Sequence, residues 1–164
     1  MKNCKKRGIT FLALVTTIVV ALIILSTVVI AFESIINNTK KSEFAKEAYL
    51  VKKQVLDYEF MNSKYPAEND IILDLSNVAS ASENQFLEEP GYATNNIELI
   101  SIDLSKAGVE NVIRGTTKYG AFDVYAFSVT TKKIYYLMGE KIGNDTYYTL
   151  TDELYKLLDI NDVK

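Results

Sequence analysis

After a short polar start, the chain runs without a charge from Ile9 to Phe32, ITFLALVTTIVVALIILSTVVIAF. A soluble helix of that length carries a polar stripe. Here Thr10, Thr16, Thr17 and Ser26 are scattered through the run. Wound as a helix, it would extend about 36 Å at a rise of about 1.5 Å per residue, enough to cross a bilayer core of about 30 Å. The pattern predicts a transmembrane helix over 9–32, the other reading being a helix buried in a protein core. No proline interrupts it, so no sharp kink is expected.

Past Glu33 the helical period continues with a polar face. Phe44, Ala48, Val51 and Val55 follow a four-three-four spacing, with Ala45, Tyr49, Leu56 and Phe60 beside them. Lys40, Lys41, Lys46, Lys52 and Lys53 take much of the rest. An amphipathic helix over 33–62 follows, whose apolar side needs a partner. It is expected to end near Asn62, because Tyr65-Pro66 disfavours continuation, and its weakest point is Asn37-Asn38-Thr39.

Residues 66–91 are harder to read. Ile71, Ile72, Leu73 and Leu75 fit a short strand or a packed loop, and 77–87 a short helix ended by Glu88-Glu89-Pro90-Gly91. The pattern then turns β-like over 97–104, 121–129 (with Asp123, Tyr125, Phe127 and Val129 on one face), 133–138 and 146–150. A hairpin at 130–133 and a turn at Gly143-Asn144-Asp145 connect the last three, and Gly115, Gly120 and Gly139 also read as turn residues. Thr151-Asp152-Glu153 reads as a capped start to a final short helix through Leu158. The expected fold is α+β: a long N-terminal helix, transmembrane in its first half and amphipathic in its second, packed on a small antiparallel β-meander.

Charge sharpens this division. Lys2, Lys5, Lys6 and Arg7 precede the apolar run and no acid occurs before Glu33. Such a bias holds the N-terminus in the cytoplasm and places the C-terminal domain across the membrane. Of the 18 Lys and Arg, the 14 beyond this leader face all 21 acids, a net of −7. That surface repels nucleic acid, which is not expected as a partner.

Candidate chemistry is sparse. There is no histidine, and the single cysteine, Cys4, lies in the basic leader. The usual nucleophile–base pairs and zinc sites therefore cannot be assembled, and an intrachain disulfide is excluded. Glu88-Glu89, Asp152-Glu153, Asp159 and Asp162 sit where loops and helix ends normally carry acids. Seven of the eleven tyrosines fall between Tyr119 and Tyr155, a pattern that cross-strand packing explains. No catalytic, metal or cofactor residue is expected, and no enzymatic activity.

The junction before the apolar run is the informative one. Lys5-Lys6-Arg7-Gly8 followed by Ile9-Thr10-Phe11-Leu12 resembles the type IV prepilin signal: a basic leader, a glycine, then a hydrophobic residue opening the helix. The resemblance implies cleavage after Gly8 by a membrane-embedded prepilin peptidase on the cytoplasmic side, with methylation of the new amine on Ile9. It also implies other pilin subunits as partners. Pilins usually carry glutamate at the fifth mature position, where this chain has Ala13. An acid in mid-membrane costs about 2.5–3.5 kcal/mol to insert, so its usual presence implies an assembly contact that Ala13 lacks. Certain minor pilins and pseudopilins also lack it, as do clostridial pilin-like proteins whose helices begin GIT-x-x-ALV, similar to Gly8-Ile9-Thr10 and Ala13-Leu14-Val15 here.

Ala13, Thr17 and Ala21, spaced four apart, share one helix face on which a neighbouring subunit's helix would seat. The expected organisation is a leader over 1–8, a transmembrane and assembly helix over 9–32, its amphipathic continuation over 33–62 and an extracytoplasmic domain over 63–164. The expected function is a pilin-like or pseudopilin structural subunit. A single-pass anchored ectodomain that binds a ligand or partner without polymerising is the reading from another class, and a hydrolase using carboxylates alone is a third.

Overall fold

The computed structural model describes residues 4–116 and 122–158. The side chains of 4–10 and 29–31 are outside that description, as are Tyr119, Gly120, Asp159 and Asp162. The chain is α+β. Helix α1 spans Cys4–Asn62, and five strands follow: β1 (Ala67–Asp74), β2 (Asn96–Ile102), β3 (Tyr125–Phe127), β4 (Ile134–Ile142) and β5 (Asp145–Thr149). Two short helices, α2 (Ser80–Glu83) and α3 (Asp152–Tyr155), and two 3-10 turns, Leu75–Asn77 and Tyr92–Thr94, complete the described elements. The chain divides into two compact units, 1–39 and 40–164, so the second half of α1 belongs to the folded domain.

Unit 1 is helix. Asn37, Asn38 and Thr39 are all helical, and the Thr39 hydroxyl donates to the Ile35 carbonyl at 2.9 Å. The expected weak point does not fray.

Unit 2 is built on an antiparallel sheet whose spatial order, β1-β2-β3-β4-β5, is its order in sequence. Five strands form the meander; the four expected are joined by β1, which takes Ile71, Ile72 and Leu73 as strand and leaves Leu75 in the 3-10 turn that follows. Side chains alternate across the sheet with period two. Tyr125 and Phe127 on β3, with Ile134 and Tyr136 on β4, point to the first face. There they pack with Phe44, Ala45, Ala48, Val51 and Val55 of α1 and Leu154 of α3. Ala126, Tyr135 and Leu137 point to the second face, joining Leu73, Ile97 and Leu99 beneath Phe86 from 75–95. Phe86 stacks on Tyr135 with ring centroids 4.9 Å apart. Both faces are thus covered, the first by α1 as its stripe requires and the second by the segment around α2.

Three local expectations need correction. Phe60 does not extend the buried stripe of α1; it is 90% exposed. Val129 lies beyond the end of β3 and is exposed, because the chain turns at Ser128, whose N–H donates to the Lys133 carbonyl at 2.9 Å. Gly139 sits inside β4 at an irregularity in its pairing with β5, not in a turn. Its φ is +73°, and a Cβ there would fall 2.6 Å from Cγ2 of Thr146, so the bulge needs glycine.

The termini of the helices are specified locally. Helix α1 ends where Ser63 takes a positive φ of 53° and its N–H reaches the Glu59 carbonyl at 2.8 Å. Thr151 caps α3 by accepting the Leu154 N–H, with Asp152 and Glu153 in the first turn. The outer edge of β5 is met by side chains of the 80–85 segment, Ser82 donating to the Thr146 carbonyl at 3.3 Å. The Gln85 amide donates to the Thr146 carbonyl at 2.7 Å and accepts the Tyr148 and Thr149 N–H groups at 2.7 and 3.2 Å.

Candidate functional site

The residues expected to carry processing and assembly all lie on α1. Gly8 and Ile9 are within the helical backbone, which begins four residues before Gly8 at Cys4. Ala13, Thr17 and Ala21 are exposed. Thr17 and Ala21, with Thr16, Val20 and Ile24, line a shallow apolar depression, and Ala13 lies outside it. The small-residue face is thus only partly gathered into one concavity.

An apolar helix meets lipid without penalty only if its polar atoms are satisfied within it. The Thr16, Thr17, Ser26 and Thr27 hydroxyls do this by donating to carbonyls three residues back, each at 2.8 Å. Every described side chain from Phe11 to Val28 is exposed, and the helix is long and apolar enough to cross a membrane. The hydroxyls therefore add little polarity that a surrounding hydrocarbon would sense.

Within unit 2 the strongest electrostatic feature is a charge cluster that was not expected from the sequence. Arg114, only 8% exposed, lies in the 103–124 connection between β2 and β3. Its Nη1 is 2.9 Å from Oε2 of Glu47 on α1, and its Nε is 2.9 Å from Oε2 of Glu140 on β4. Glu47 also accepts the Arg114 N–H at 2.9 Å and the Tyr125 hydroxyl at 3.0 Å. Burial pulls the guanidinium pKa down, but the two carboxylates outweigh it and the group stays firmly cationic. The Tyr125 hydroxyl is pushed far up, first by burial and then by Glu47. This cluster ties helix, loop and strand together. Its signal in the sequence is weak, since a lone arginine in a loop reads as solvated.

Glu89 also departs from expectation. It reads as an ordinary loop acid, yet it is 4% exposed. The Ser128 and Tyr135 hydroxyls donate to it at 2.6 Å each, and the Thr131 hydroxyl also bonds to it. Burial, then Glu89, raises the Tyr135 pKa well above its usual value. A buried carboxylate that accepts three hydroxyl donors holds the 84–91 segment on the β3–β4 hairpin.

Near α3, Lys41 of α1 pairs with Glu153 at 2.7 Å, and the Tyr147 hydroxyl donates to the same carboxylate at 3.1 Å. Lys41, then Tyr147, lowers the Glu153 pKa. The tyrosines at 125, 135, 136 and 147 are buried in the two cores, in keeping with cross-strand packing. Among the described residues, no three His, Cys, Asp or Glu side chains converge to hold a metal ion.

Surface concavities are also present among the described residues of unit 2. One, of about 460 Å³, lies beside the 103–116 loop and mixes Glu68, Asp103 and Asn111 with Ile102, Val109 and Val112. Another, of about 340 Å³, is mainly apolar and opens on the second face of the sheet. Comparison of the chain with protein-family models, curated proteins and solved structures finds no match.

Proposed function

We propose that the chain is a type IV pilin-like or pseudopilin structural subunit without enzymatic activity. It is held in the cell membrane by residues 9–32, with its N-terminus cytoplasmic and its folded domain extracytoplasmic. Prepilin peptidase removes residues 1–8, and the mature helix then leaves lipid to pack against the helices of other subunits. No cofactor and no nucleic acid takes part.

The observation that carries this reading is a helix of 24 uncharged residues, its described side chains exposed and its hydroxyls bonded back to its own backbone, opening at a basic-glycine junction. A helix of that kind is at home in hydrocarbon or against like helices. The antiparallel sheet beneath the second half of α1 supports the same plan. Cleavage after Gly8 requires the first turns of α1 to unwind, and glycine lowers that barrier, since it weakens a helix interior by about 1 kcal/mol relative to alanine.

The test is co-expression with a prepilin peptidase, followed by mass determination of the mature N-terminus. Loss of eight residues with a methylated Ile9, abolished by Gly8→Val, is the expected result. An intact leader on the surface protein would leave the second reading, an anchored ectodomain. The mixed polar and apolar concavity beside 103–116 favours a ligand in that case.

A further inference from the structure

Among the described residues of unit 2, two exposed apolar features lie on different sides of the sheet. At the end of α1, Phe60 and Met61 are 90% and 74% exposed. Across the sheet, a mainly apolar groove of about 340 Å³ is lined by Leu73, Val78, Phe122, Met138 and Tyr148, together with Asp74. Phe122 is held there at a φ of 57°, a conformation that bulky side chains avoid. We propose that Phe60 and Met61 of one copy insert into this groove on a second copy, with Lys64 of the first copy facing Asp74 of the second.

Three observations favour a second copy as the occupant. Phe60 and Met61 end the helix that covers the first face of the sheet, whereas the groove opens on the second. They are different patches, so the contact is head-to-tail and repeats without closing into a pair, the geometry that generates filaments. The groove volume suits one aromatic and one unbranched side chain, the kind of anchor that dominates interfaces. The charges are complementary: Lys64 is exposed, and the Asp74 carboxyl is held below its usual range by hydrogen bonds from Ser76, first of all its backbone N–H.

The inference rests on the assembly reading, which supplies the local concentration of copies, and its test separates the two. Two differently tagged full-length chains, both carrying Cys4→Ser, are co-expressed with the peptidase in membranes. One carries Met61→Cys and the other Met138→Cys. Oxidation is expected to give a mixed-tag adduct, while copies that both carry Met61→Cys do not couple. Lys64→Glu in the first chain lowers the yield about tenfold, the effect of losing roughly one decade of affinity. Equal coupling of the like pair, or no mixed adduct although fibres sediment, overturns the pairing and leaves the assembly reading standing. A mixed adduct without fibres overturns the assembly reading and supports the pairing.

Discussion

Val19 and Val51 are the same residue in the same helix, yet Val19 is 49% exposed and Val51 is fully buried. The described side chains from Phe11 to Val28 are exposed, whereas the second half of α1 packs on a sheet. Burying a valine is worth about 1.5–3 kcal/mol relative to leaving it in water. Val51 collects that within its own chain. Val19 and its neighbours must obtain it elsewhere, from lipid or from other helices. The period of the hydrophobic pattern reports this difference directly. A stripe asks for one partner, whereas an all-round apolar surface asks for a different solvent.

The largest effect should separate the two halves most cleanly. Arg114→Ala leaves Glu47 and Glu140 without their cation in a largely closed site, which costs about 3–5 kcal/mol. Tyrosine fluorescence during thermal unfolding of the full chain in nanodiscs should show unit 2 melting far lower, with membrane integration unchanged. An unaltered midpoint would mean that the cluster is solvated.

The converse experiment places a charge in the first half. Val20→Arg costs about 2.5–3.5 kcal/mol if it sits near the bilayer centre. Carbonate extraction should release the variant from membranes while unit 2 keeps its melting midpoint. Retention equal to that of the parent chain would argue against a spanning helix.

A smaller effect is expected in alkali and only in unit 2. Tyr125 and Tyr135 titrate well above 10 when folded and at about 10 when unfolded. Their folded pKa values are raised, so their contribution is complete below pH 10 and is lost as pH rises beyond it. Each tyrosine should remove about 1.4 kcal/mol of stability per pH unit in that range. Equilibrium unfolding between pH 9 and pH 11 tests the slope. The smallest change is Thr151→Ala, which removes the cap of α3 and should cost about 1 kcal/mol, read as a slightly lower urea midpoint.

Much of this architecture is legible in the sequence because it is periodic. The spacing of Phe44, Ala48, Val51 and Val55 located the packed face of α1, and the run of β-formers in 133–138 located β4, whose side chains enter both cores. Thr151 announced α3 by its chemistry. What escaped has no period. Strand β1 reads AENDIILD: its acids face water along an edge, and its consecutive isoleucines and leucine do not alternate. Arg114, Glu47 and Glu89 are polar residues whose burial depends on partners far away in sequence, from Glu140 to Ser128, and no local pattern encodes such meetings. Phe60 erred in the other direction, since its spacing continued the stripe after the sheet beneath it had ended. For processing and assembly the position is different. Gly8 and Ile9 were identified by likeness and Ala13, Thr17 and Ala21 by their spacing, of which Thr17 and Ala21 share a concavity.

The Gln85 amide bonded to three backbone groups of β5 has a consequence for how molecules of this chain meet. A primary amide carries one donor side and one acceptor side, as a peptide unit does, and here it impersonates a sixth strand one residue long. Among the described strands, the sheet is thereby sealed on the β5 flank, and the acid-bearing β1 forms its other margin. Crowded copies cannot zip together sheet to sheet in an endless ribbon. Their contacts are left to side chains, which can be selective.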